Sequence, residues 1–238
     1  MWTSRTALLI GQDNLSALRT KHVLIVGVGG VGAYAAEMLC RAGIGSLTLV
    51  DADTIKESNI NRQLPATSST VGEKKAQVLA NRFTDINPDI TLHCKDIFIE
   101  EANISDLFAT ETYDFVVDAI DTLAPKIALI QYCITHDMQI ISSMGAGGRM
   151  DPTQIQYADI SETDFCKLAK FVRKRLRKIG IERGLPVVFS TEQVNKESVI
   201  QVDDEKNKCS TVGTISYLPA IFGCYLSAYV IQKLYKNE

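Results

Sequence analysis

The sequence predicts an α/β protein: a mostly parallel sheet with helices on both faces and a less regular carboxyl-terminal extension. Three observations carry that expectation. Short apolar runs alternate with segments of helical periodicity from His22 to Ser143, the rhythm of βαβ units. The first run, HVLIVGVGGVG at His22 to Gly32, turns on glycines into a helix. The run from Tyr113 to Asp118 is continuously apolar between polar flanks, as in a strand covered on both faces.

Taken in order, Trp2 to Leu18 reads as a helical arm within residues 1–20, His22 to Val26 as the first strand and Val31 to Ala42 as the first long helix. Ser46 to Val50 is the second strand. Lys74 to Asp85 has helical periodicity closed by Asn87-Pro88, and Ile90 to Lys95 is a further short strand. The buried strand at Tyr113 is followed by a helix, Ala124 to His136, and a strand, Gln139 to Ser143. Beyond Gly145 come a helix near Phe165 to Ile179, a strand at Val187 to Ser190, a polar stretch and a final apolar helix, Ala220 to Lys233. The charge and aperiodicity of Glu192 to Lys208 suggest a mobile loop.

At 238 residues, 46% hydrophobic and 22% charged, the chain can bury a substantial core as one domain over 1–238. A net charge of −3 gives no global pull toward nucleic acid. No cationic leader with a cleavable apolar segment opens the sequence, which predicts a cytoplasmic protein. Six scattered cysteines form no CxxC pair, so they read as reduced thiols, mostly in the core, rather than as a zinc site or disulfide framework. The three histidines, His22, His93 and His136, lack metal-ligand spacing and read as structural.

The glycines describe a nucleotide turn. Gly27 permits the tight turn, Gly29 and Gly30 let the backbone approach a phosphate, and Gly32 lets the helix pack closely on the strand. N–H groups at the helix start face an anion, and Asp51 lies where an acid grips a ribose hydroxyl. These features alone also suit a nicotinamide or flavin dinucleotide. Asn59, Arg62 and Gln63, with Lys75 behind VGEKK, add the donors that a polyphosphate tail needs. An arginine fork and a lysine point charge there would each stabilise developing phosphoryl charge by ~2–4 kcal/mol. The alternative is that Arg62 and Lys75 are solvated surface charges.

GVGGVG, DADTIKESNINRQ, TVGEKK, NPDI and VVDAID resemble the adenylating superfamily that activates ubiquitin-like and sulfur-carrier proteins. ISSMGAGGRMDPTQIQYADIS, the basic helix after it and VVFSTEQ resemble its tRNA threonylcarbamoyladenosine dehydratase branch, from about Thr3 to about Tyr235. The resemblance implies a Rossmann-like fold and ATP-dependent cyclisation of a modified adenosine beside the anticodon, through an acyl adenylate. It implies catalytic roles for Arg62, Lys75 and Asp121, with Mg²⁺ on Asp121. It also implies a homodimer in which Arg5 reaches the neighbouring subunit's nucleotide. It allows a monovalent cation, K⁺ or Na⁺, near Gly145 to Gly148, and sulfur-transfer partner proteins. Asp118 reads better as a brace for its turn than as a ligand.

The stretch KLAKFVRKRLRKIGIERG, within a basic helix expected over 165–183, has an apolar face of Leu168, Phe171, Val172, Leu176 and Ile179. Lys170, Arg173, Lys174, Arg175, Arg177 and Lys178 project from its other faces toward a phosphate backbone, which the resemblance makes that of tRNA. The alternatives are a solvated helix or an acidic protein partner. TISYLPAIFGCYLSAYVIQKLY is apolar, but Pro219 leaves a short helix, so a core or dimer role is favoured over membrane association. Cys209 has no sequence-adjacent activating base and reads as an ordinary cysteine. Two catalytic rivals remain: activation of a sulfur-carrier terminus, which usually uses paired CxxC ligands, and dinucleotide-dependent oxidoreduction. A non-catalytic nucleotide-binding scaffold is a third.

Overall fold

Two short helices, α1 (Ser4–Ile10) and α2 (Gln12–Leu18), open the computed structural model, which describes residues 2–201 and 210–236. The expected continuous arm is thus broken, at Gly11. The chain continues through β1 (His22–Val26), α3 (Gly32–Ala42), β2 (Ser46–Val50), α4 (Lys75–Ile86), β3 (Thr91–Lys95) and α5 (Ile104–Ala109). It then forms β4 (Phe115–Asp118), α6 (Leu123–Thr135), β5 (Ile140–Ser143), β6 (Ile155–Asp159), α7 (Lys167–Lys178) and β7 (Pro186–Ser190). A small pair, β8 (Val199–Gln201) and β9 (Ser210–Val212), precedes α8 (Tyr217–Lys236).

The main sheet has the order β3-β2-β1-β4-β5-β7-β6, parallel except for β6, which runs antiparallel to β7 at the edge. The parallel order reverses direction between β1 and β4, the crevice in which open α/β sheets hold ligands. This is a Rossmann-like fold. One face buries residues of α3, α4 and α8, and the other those of α5, α6 and α7. The less regular extension therefore supplies an edge strand, a hairpin and a core helix.

Leu218, Phe222, Leu226, Val230 and Leu234 recur every four residues along α8 and are buried against α3 and α2. Pro219 falls in the first turn, where no intrahelical N–H is lost. At Gly223 an added Cβ would lie 2.5 Å from the Val31 carbonyl oxygen, so only glycine allows the helix this approach. α8 is a core helix, and among the described residues no helix is long and apolar enough to cross a membrane.

Glu37 ties α3 to α4. Its buried carboxylate accepts from Arg41 Nε at 2.8 Å and from Arg82 Nε and Nη2 at 2.6 and 3.1 Å. Burial pushes its pKa up, but the two arginines outweigh burial and hold it below the ordinary 4.5. This contribution is fully present above 4.5 and is lost as pH falls through the lower native value. Glu37→Gln therefore lowers the melting temperature near neutrality, and thermal unfolding across the acid range shows the gap to wild type closing as pH drops.

Among the described cysteines, Cys40, Cys133 and Cys166 are buried but Cys94 and Cys224 are exposed, and all are free thiols. Cys209, and residues 202–208 of the predicted mobile loop, lie outside the described residues. The earlier part of that loop is tied down: the Glu192 carboxylate accepts from the Met150 and Asp151 N–H groups, at 2.9 and 2.8 Å.

Candidate active site

β1, β2 and β4 end together, and their following loops enclose a cavity of about 1040 Å³. Every predicted nucleotide residue borders it except Gly32. Gly32 works behind the site: a Cβ there would fall 1.8 Å from the Gly27 carbonyl oxygen, so any side chain would push α3 off β1. Gly27 has φ +86° and a Cβ on it would meet the Ala119 carbonyl at 2.8 Å. The glycine turn thus packs directly on the loop after β4, leaving Gly29 open to the cavity.

Asp51 ends β2 and holds the turn. Its Oδ2 accepts from the Val28 N–H at 2.8 Å and its Oδ1 from the Asp53 N–H at 2.9 Å. Burial raises its pKa against the opposing pull of Lys75 and these two donors. Lys75, at the start of α4, is also buried, its ammonium 2.8 Å from Asp53 Oδ2 and 4.0 Å from Asp51 Oδ1. A desolvated lysine beside a cavity is a strong point charge for an anionic ligand. The solvated-surface reading of Lys75 does not hold.

The polar loop forms a short 3₁₀ turn, Glu57–Asn59, in which Asn59 Oδ1 accepts the Lys56 N–H at 3.0 Å. That turn presents Arg62 over the glycines: an added Cβ at Gly30 would lie 3.6 Å from Arg62 Cγ. Arg62 is half-buried, and its Nη1 donates to the Ser58 carbonyl at 2.9 Å and to Asn61 Oδ1 at 2.7 Å. Gln63 Oε1 is buried with no hydrogen-bond partner. A buried orphan acceptor bordering a cavity is a place for a ligand's donor.

Asp121 borders the cavity just after β4. Its position depends on a pair that sequence reasoning half missed. Asp118 and Lys126 are both fully buried, with Nζ 2.6 Å from Asp118 Oδ2. Lys126 also donates to Ser142 Oγ and the Ser143 carbonyl, each at 3.0 Å, and Ser142 donates to Asp118 at 2.5 Å. Asp118 Oδ1 accepts the Ile120 N–H at 3.0 Å, so it braces the turn that carries Asp121. The signal for Lys126 was a lone lysine within the apolar run of α6.

No described cysteine borders the cavity, and burial pushes the Cys40 and Cys133 thiols up to about 12. The donors and carboxylates suit phosphoryl or adenylyl transfer without an enzyme thiol. A family model for the ThiF family matches residues 3–238. The chain belongs to the ThiF family.

This ThiF-family chain is 39% identical to a tRNA threonylcarbamoyladenosine dehydratase of Bacillus subtilis, over 98% of the chain and 94% of that protein. It is 40% identical to the Escherichia coli enzyme of the same name, over 80% of the chain and 75% of that protein. The crystal structure of E. coli tRNA N6-threonylcarbamoyladenosine dehydratase, TcdA, in complex with ATP, superposes with a TM-score of 0.89 at 35% identity, covering 98% and 93% of the two chains.

Other predicted residues of the ThiF-family chain lie outside the cavity. Arg5, on α1, is exposed and does not border the cavity of its own chain. Along α7, Lys170, Lys174, Arg175, Arg177 and Lys178 are exposed, but Arg173 is half-buried. Arg173 Nη1 donates to the Ile160 and Thr163 carbonyls, at 3.2 and 2.8 Å, and to the Thr163 hydroxyl. The buried face of α7 is Ala169, Val172 and Leu176, whereas Phe171 and Ile179, expected on it, are exposed.

At the opposite end of the sheet, ligand-type atoms of His22, His93 and Glu111 lie within 4.8 Å of one another, a convergence their sequence spacing conceals. The cluster is knit by hydrogen bonds: His22 Nε2 is 2.8 Å from Thr48 Oγ1, which donates to Glu111 at 2.9 Å, as Tyr113 does at 3.0 Å. Lys95 stands 3.7 Å from the same carboxylate. Burial lowers the His22 pKa, favouring the neutral ring.

Proposed function

We propose that the protein is an ATP-dependent tRNA threonylcarbamoyladenosine dehydratase. The observation that carries the reading is the joining of buried Lys75, Arg62 and the glycine turn with Asp121 around one cavity. The similarity to TcdA in complex with ATP supports it. The substrate carboxylate attacks the α-phosphorus of ATP, and the bond to the bridging oxygen breaks to release pyrophosphate. The product is an acyl adenylate. Arg62, Lys75 and the N–H groups at the start of α3 stabilise the charge that develops. The substrate's own carbamoyl nitrogen then attacks the activated carbonyl, loses its proton and expels AMP. The water formally removed is accounted for by ATP becoming AMP and pyrophosphate. The rate gain in ring closure comes from holding two groups of one substrate together.

Mg²⁺ fits this donor set: Asp121 would hold it, and it would neutralise phosphate charge. A monovalent K⁺ or Na⁺ near Gly145 to Gly148 is a narrower expectation, because Arg149 already occupies the Gly145 carbonyl. Leu8 and Leu9 on α1 are 87% and 85% exposed, an apolar surface that supports a homodimer with Arg5 serving the partner's site. Sulfur-transfer partner proteins, the cytoplasmic address and a single domain over 1–238 complete the reading. Adenylation of a sulfur-carrier terminus is the alternative.

The exposed cations of α7 are the tRNA-docking surface. Charge reversal at Lys170, Lys174 and Arg177 weakens tRNA binding and flattens its salt dependence, while ATP binding is retained. Adding Arg173 to the set would confuse the result, since it is bonded within the fold. The deciding experiment is mass analysis of nucleosides from threonylcarbamoyl-modified tRNA incubated with the protein, ATP and Mg²⁺. ATP-dependent loss of one water from the modified adenosine supports the reading. An unchanged nucleoside, with pyrophosphate exchange on a small carrier protein, supports the alternative.

A further inference from the structure

Phe165 has φ +51°, and among the described residues Asp137 is the other non-glycine residue with positive φ. An aromatic residue takes this conformation only when its surroundings impose it. Arg149 imposes it. This buried guanidinium donates from Nη2 to the Phe165 carbonyl at 3.2 Å, from Nε to the Glu192 carbonyl at 2.9 Å, and from Nη1 to the Gly145 carbonyl. Gly145 borders the active-site cavity, so one arginine fastens the Phe165 backbone to the cavity rim.

The residues that follow fix the same joint. Cys166 caps α7 by accepting the Ala169 N–H, and its sulfur lies 3.6 Å from where a Cβ on Gly145 would stand. Leu168 borders the cavity, and the exposed cations of α7 begin at Lys167. Residue 165 therefore lies just before the basic helix, tied through Arg149 to a residue of the cavity rim. Yet the residue is 59% exposed, so burial does not account for holding a phenylalanine in a strained conformation. Glycine would suit the backbone better, and a polar side chain would suit the solvent.

We propose that the Phe165 ring is a stacking platform for an unpaired base of the anticodon loop, next to the nucleotide whose carboxylate enters the cavity. The proposal rests on the tRNA reading of the active site and deepens it. RNA loops are recognised by splaying bases onto aromatic rings, while cations track the backbone. The division of labour here follows the charges: acidic Asp164 beside Phe165 repels a phosphate but not the face of a base, and α7 supplies the cations.

The test is steady-state dehydration of threonylcarbamoyl-modified tRNA by wild type, Phe165→Ala, Phe165→Gly and Phe165→Trp, with ATP binding and melting temperature measured alongside. Loss of one stacked base raises the KM for tRNA roughly 5- to 150-fold in the alanine and glycine variants, with kcat and ATP affinity unchanged. The tryptophan variant stays within about twofold of wild type, since it keeps a π face. Phe165→Gly melts no lower than wild type, because glycine accepts the backbone angle freely; a structural role for the ring would lower it. An unchanged KM in both truncations overturns the stacking platform and leaves the dehydratase reading standing. A glycine variant that loses kcat and ATP binding together also overturns it. If wild type neither binds nor dehydrates the tRNA, both readings fall.

Discussion

Lys126→Met lowers stability by about 3–5 kcal/mol, because it strands the Asp118 carboxylate in a fully buried site. For a chain of this length that is a fall in melting temperature of roughly 6–20 °C. Ser142 and the Ile120 N–H still bond to Asp118, but neither carries the opposing charge. Pairing the change with Asp118→Asn removes both charges and keeps an acceptor for Ile120, so the double variant recovers most of the lost stability. ATP binding follows a different course. The Lys126 ammonium joins the ends of β4 and β5 at the cavity floor, and the double variant lacks that tie, so it remains impaired in nucleotide binding after its melting temperature has returned. Thermal unfolding and ATP titration of the single and double variants check this; full recovery of both would reduce the pair to a stabilising contact.

Arg62→Ala lowers kcat for dehydration by about 10²–10³-fold, the range for removing one preorganised donor to transition-state charge. Stability changes little, since Nη1 bonds within its own loop. Arg62→Lys restores only part of the rate, because an ammonium cannot reproduce the planar fork. Single-turnover rates at saturating ATP separate this from weakened binding. An effect confined to the KM for ATP would mean that Arg62 contacts ground and transition states equally.

The strands that carry the site were legible because their code is local. His22–Val26 (HVLIV) and Ser46–Val50 (SLTLV) are short runs rich in branched apolar residues and closed by glycine or aspartate, and the structure gives them those bounds. Ile155–Asp159 was not legible: as an edge strand only its first residue is fully buried, so it has no apolar run to announce it. The residues predicted to hold the nucleotide could be found around one cavity because a short loop and a glycine turn deliver them. Lys126 and Arg149 were not, because their roles depend on partners from other elements. For Lys126 the partners are Asp118 on β4 and Ser142 on β5; for Arg149 they are the Phe165 and Glu192 carbonyls. Phe171 and Ile179 show the opposite error, since helical periodicity marks an apolar face without saying whether anything covers it.

The packing of α8 on α3 sets a timetable for biosynthesis. The glycine turn, Arg62 and Lys75 precede the final helix in the chain and leave the ribosome before it. But the groove over α3 is filled by Phe222, Leu226 and Val230, and Asn61 beside Arg62 bonds to the Thr214 carbonyl at 2.9 Å. Pro219 of the same helix borders the cavity. A nascent chain halted before α8 therefore holds the glycine turn, Arg62 and Lys75 with an open apolar trough behind them. It offers a chaperone a target and ATP an unfinished site, so adenylating capacity arrives with the final helix rather than growing along the chain.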